Sequence, residues 1–168
     1  MDRTSRGIFV LRAVLGGGFL FAGLDKFLMW SGGTPFTAAG FLKGATGGAW
    51  LGSTGVVNPT HPFWVSLAGN ASLMTIVDTL VVFGECAIGA ALILGLATRF
   101  AGVCGALLMT LLYVANWSFA TGPFNEQLMY GLIAGTIAYV GAGAYALDSV
   151  VEKLAIMQRI PVVKYALG

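Results

Sequence analysis

The chain has 168 residues, of which 57% are hydrophobic and 10% charged, and its mean hydropathy is +0.85. That composition excludes an ordinary soluble globular domain, and a net charge of +2 carried mainly by topogenic residues gives no reason to invoke nucleic acid. No linker, low-complexity tract or internal repeat divides the chain, so residues 1–168 read as a single membrane domain.

A helix needs roughly 20 mostly apolar residues to cross about 30 Å of hydrocarbon. Four stretches meet that need, at 8–30, 73–96, 100–119 and 127–147, which predicts an all-α, four-helix transmembrane bundle. Arg12 interrupts the first apolar run and no cleavage pattern follows it, so the first segment reads as an uncleaved helix and not a secretory signal. Within it Arg12, Phe19 and Lys26 recur every seven residues, which puts both cations on one interior stripe.

Residues 31–72 form the longest external piece and carry Phe36, Phe41, Trp50, Phe63 and Trp64. Thr34 and Pro35 predict a short helix through Leu42, and Pro62 predicts another around Trp64. Such a segment rests on the bundle, either as an interfacial anchor or as a cover over a substrate. The second and third spans are joined by Ala97, Thr98 and Arg99 alone, which forces an antiparallel hairpin with Thr98 as the cap of the third helix. Small residues, among them Gly16, Gly17, Gly18, Gly95, Gly102, Gly131 and Gly135, let membrane helices approach closely. Cys86 and Cys104 differ in depth by roughly 9 Å, so they read as separate unreactive thiols.

Positive charge near short loops is retained in the cytoplasm. Arg3, Arg6, Arg12, Arg99, Lys153, Arg159 and Lys164 fall on one side, and Lys26 and Lys43 on the other. Both termini are therefore expected inside, in a multi-pass protein of the cell membrane, and an even number of crossings agrees with four spans.

Ionisable residues inside spans turn toward the bundle interior or a wet cavity and mark functional sites by default. Toward the outer face lie Asp25, Lys26, Asp78, Asn116, Trp117 and Tyr130, together with Asn125 and Glu126. Glu85 lies deeper, near the midplane, and follows Asp78 by seven residues, so the two carboxylates share a helical face that could relay protons. An interfacial salt bridge is the plainer account of Asp25, Lys26 and Asp78, and a hydrogen bond to a neighbouring helix that of Glu85. Arg12, Arg99 and Asp148 form an inner layer whose expected role is structural. One histidine, His61, and two cysteines at different depths supply no zinc, iron–sulfur or haem ligand set, and no glycine-rich nucleotide fingerprint is present.

Three stretches carry a resemblance: RAVLGGGFLFAGLDKF at 12–27, GECAIGAALILGLATR at 84–99 and GAGAYALD at 141–148. In their order and spacing they resemble the DoxX/DoxD family of four-helix membrane proteins. The resemblance implies the membrane subunit of a thiosulfate:quinone oxidoreductase, which oxidises thiosulfate to tetrathionate on the outer side and passes electrons to membrane quinone beside a DoxA-type subunit. On that reading Asp78 and Glu85 deliver protons to the quinone. Lys26, Asn116, Trp117 and Tyr130, with Asp25 beside them, line the substrate or quinone site. Acidic neighbours of Lys26 would oppose an anion. The rival readings are an accessory or assembly subunit of a respiratory complex and, last, a small transporter, for which the broken-helix repeats are missing.

Overall fold

The computed structural model describes residues 3–45, 58–117, 124–151 and 167. Among them run seven helices and no strand: α1 (Arg3–Ser31), α2 (Ala39–Ala45), α3 (His61–Gly69), α4 (Ala71–Leu94), α5 (Thr98–Asn116), α6 (Glu126–Val140) and α7 (Asp148–Val151). Trp50, the last two residues of the third predicted span, and Lys153, Arg159 and Lys164 lie outside the described residues. α1, α4 and α5 are long and apolar enough to cross a membrane, so the chain is an all-helical, multi-pass membrane protein.

The fourth predicted span differs. α6 stops at Val140 and is about 22 Å long, so three helices, not four, reach spanning length among the described residues. Gly141, Gly143 and Tyr145 take positive φ of 97°, 67° and 53°, a backbone that ends a helix. Irregular backbone at membrane depth must find its hydrogen bonds inside the protein, and residues 144–148 do so. Ala144 N donates to Ser5 O, Leu147 N to Leu94 O and Asp148 N to Gly95 O, at 3.2, 3.2 and 2.8 Å.

The helices pair antiparallel, α1 on α4 and α5 on α6. Glycine sets the first pair: a Cβ at Gly16 would lie 2.9 Å from Gly89 O, and one at Gly23 would lie 2.7 Å from both Cys86 N and Cys86 Sγ. Gly102 fits equally closely against Ala134 and Ala138 of α6. Gly17, Gly18 and Gly135 instead face open space, so only part of the small-residue pattern makes helix contacts. Between the pairs lies a core of Leu15, Phe19, Ile88, Leu92, Ala101, Met109, Ala134 and Ile137. The predicted hairpin is present, with Gly95 in the left-handed C-cap of α4 and three residues leading into α5.

Candidate functional site

Lys26 and Glu85 meet at the α1–α4 seam, with Nζ 2.7 Å from Oε2. Glu85 is 4% exposed, and Lys26 is its one ion-pair partner among the described residues. The close approach at Gly23 brings the α4 backbone at Glu85 and Cys86 against α1 one turn before Lys26. The lysine bends back along its own helix, and Nζ also donates to Ala22 O at 3.3 Å. Helical side chains lean toward the N-terminus, and a four-carbon stem covers a turn of about 5 Å. Two residues expected in separate layers therefore form one pair. The Phe36 ring lies 5.5 Å from the ammonium, within range of a cation–π attraction.

Phe36 belongs to the segment that covers this end of the bundle. Trp30 Nε1 donates to Phe36 O at 3.3 Å, and Asp78 Oδ1 accepts from Ala38 N at 2.8 Å. α2 begins at Ala39, four residues after the predicted Pro35 start, where the amide of Ala38 is met by a carboxylate from α4 and that of Ala39 by Thr37 Oγ1 at 3.2 Å. α3 carries Pro62 in its first turn, as expected. Ala38, Leu42, Trp64, Ala68, Met74 and Ala115 form a second core beneath this cover, so the described part of residues 31–72 does rest on the bundle.

Beside the ion pair a cleft of about 510 Å³ runs along α1 from Leu11 to Ala22. Glu85, Met109, Tyr130 and Ile133 supply its remaining walls. Val14 and Phe21 on its edge are 70% and 76% exposed, so the cleft opens sideways to the surface that lipid covers. Its polar groups, Glu85 and Tyr130, sit toward the covered end, and the rest is apolar. A buried carboxylate paired to a lysine, a phenol and a long greasy wall suit an amphiphile with a polar head.

At the opposite end Arg12 is fully buried and donates from Nη2 to Ala144 O and Tyr145 O at 3.2 and 3.0 Å. Asp148, also fully buried, accepts from Ala97 N and Thr98 N at 2.6 and 2.9 Å. The N-terminus of α5 is therefore capped by a remote carboxylate, while Thr98, expected to be the cap, is its first residue. Any side chain at Gly95 would run into the Arg12 guanidinium. Arg99 is half-buried and forms no ion pair among the described residues.

Of the other residues singled out, Asp25 is exposed and forms no ion pair with Lys26 among the described residues. Asn116 and Trp117 end α5 outside the cleft lining. That end is held by Asn58, whose Nδ2 donates to the carbonyls of Val114, Ala115 and Trp117 at 3.0 to 3.3 Å. Asn58 and Gly23 escaped the sequence reading, and Phe36 figured there only as one aromatic of the covering segment, without its contact to Lys26. The Asn58-Pro59 dipeptide is a turn signal that does not reveal its distant partner. Cys86 and Cys104 are both free, and no cluster of potential metal ligands occurs among the described residues.

The family model for DoxD, described as "TQO small subunit DoxD", matches residues 8–166. The chain belongs to the DoxD family. No match was found among curated proteins or solved structures. The DoxD match spans α1 from Ile8 onward and all of α2 to α7, and it includes the Lys26–Glu85 pair and the Arg12–Asp148 end alike.

Proposed function

We propose that the chain is the quinone-reducing membrane subunit of a thiosulfate:quinone oxidoreductase, with the quinone head beside Lys26 and Glu85. The observation that carries this reading is a buried carboxylate, paired to a part-exposed lysine, at the polar end of a cleft that opens to lipid. Membership in DoxD supplies the reaction class.

Reduction of a quinone to a quinol takes up two electrons and two protons. Negative charge grows on the quinone oxygens as electrons arrive, and an ammonium or a phenol placed beside them stabilises it. Tyr130 lines the cleft and Lys26 stands behind its Glu85 wall; on this reading both serve as donors, while Glu85 holds the lysine in place and passes protons. Asp78 lies two turns away on the same face of α4 and leads toward the covered end. Thiosulfate is a dianion, and the Glu85 carboxylate beside Lys26 opposes its binding there. We therefore assign the oxidation of two thiosulfates to one tetrathionate, which releases the two electrons, to a partner subunit of DoxA type. On the positive-charge bias of the sequence, we assign both termini to the cytoplasm and the α2–α3 cover to the outer side of the cell membrane.

The test is thiosulfate-dependent quinone reduction in membranes containing the assembled complex. Glu85→Gln should lower turnover on the order of 100-fold, the usual scale for removing a proton-transfer group, with the complex still assembled. Unchanged turnover would reassign the chain as an accessory subunit whose interior charges only hold helices together.

A further inference from the structure

We infer that Gly18 selects for a quinone with a long apolar tail, by keeping open the groove in which that tail lies. This rests on the quinone reading above and specifies how the ligand is oriented. The cleft is polar at one end only. Glu85 and Tyr130 stand there, and from Ala22 down to Leu11 the α1 wall is apolar. That wall extends about 16 Å along the helix. A headgroup at Glu85 leaves most of this length unfilled, and an isoprenoid chain attached to the head and lying against α1 fills it. The sideways opening lets such a molecule enter from the bilayer without passing the α2–α3 cover.

Gly18 lines this groove, and a Cβ added there meets nothing within 4 Å. It therefore plays no part in helix packing, unlike Gly16 and Gly23 on the same helix. Glycine costs helix stability relative to alanine, and no contact here offsets that cost. Empty space over Gly18 is what its missing side chain provides. Gly17 is equally unobstructed but is not part of the groove lining, which makes it a matched control.

The experiment measures KM for a tailed and a tail-less quinone in assembled complexes carrying wild-type, Gly18→Leu or Gly17→Leu subunits. Gly18→Leu should raise KM for the tailed quinone, relative to the tail-less one, on the order of tenfold or more, the discrimination typical of a blocked apolar pocket. Gly17→Leu should leave that ratio as in wild type. Three outcomes overturn the inference while the proposed function stands: an unchanged ratio in Gly18→Leu, which assigns the groove to bilayer acyl chains; an equal loss on both quinones; or the same shift in both variants. A wild-type complex that reduces neither quinone overturns the proposed function and this inference with it.

Discussion

Replacing Lys26 with methionine should destabilise the protein by about 3 kcal/mol or more, the scale of leaving one buried charge without its partner. Replacing Glu85 with glutamine should cost less. The asymmetry comes from where the two groups can go. Lys26 lies five residues before the end of α1, and with its partner gone its flexible stem can carry the ammonium toward the interface. Glu85 is buried in the middle of α4 on a shorter side chain and has no such escape. The double variant should recover most of the Lys26→Met loss, because it removes the stranded charge. Unfolding of the purified protein in mixed micelles would give the three values. Additive losses would mean that the 2.7 Å contact carries no coupling energy, and the site would lose its organising pair.

A second large effect is expected from Gly89→Leu. A Cβ at this position would collide with the Leu20 backbone and lie 2.7 Å from Gly16 O. Backbone atoms cannot rotate aside, so the whole of α1 must move away from α4. Overpacking of a tight interface costs about 1–3 kcal/mol and sometimes more, and we expect the upper end, since the displacement also draws Lys26 away from Glu85. Gly84→Leu serves as the comparison. It lies on the same helix with nothing within 4 Å of its added Cβ, and a change at such a position should stay within about 0.5 kcal/mol. Folded yield and unfolding midpoint should separate the two variants clearly; similar behaviour would show that α1–α4 contact tolerates a spacing the structure forbids.

Hydropathy finds α1, α4 and α5 because a spanning helix must be apolar for its whole length, and their predicted bounds fall within three residues of the observed ones except at the start of α1, which lies five residues earlier, at Arg3. The seven-residue stripe of Arg12, Phe19 and Lys26 is also legible, with Arg12 and Phe19 both buried. The end of α6 is not, since residues 141–147 are as apolar as a helix and only their φ angles and carbonyl partners distinguish them. Depth counting placed Lys26 and Glu85 in different layers because it treats each side chain as a point on its own Cα. The capping roles of Asp78 and Asp148 escape for another reason. Cap rules look within one turn, whereas these carboxylates serve amides 40 and about 50 residues away along the chain.

The most direct measurement is photolabelling of the membrane-embedded complex with a quinone that carries its reactive group on the head. Adducts should map to α4 around Glu85 and α6 around Tyr130, and excess unlabelled quinone should suppress them. Labelling that concentrates on the partner subunit, or at the Arg12–Asp148 end of this chain, would contradict a headgroup site beside the Lys26–Glu85 pair.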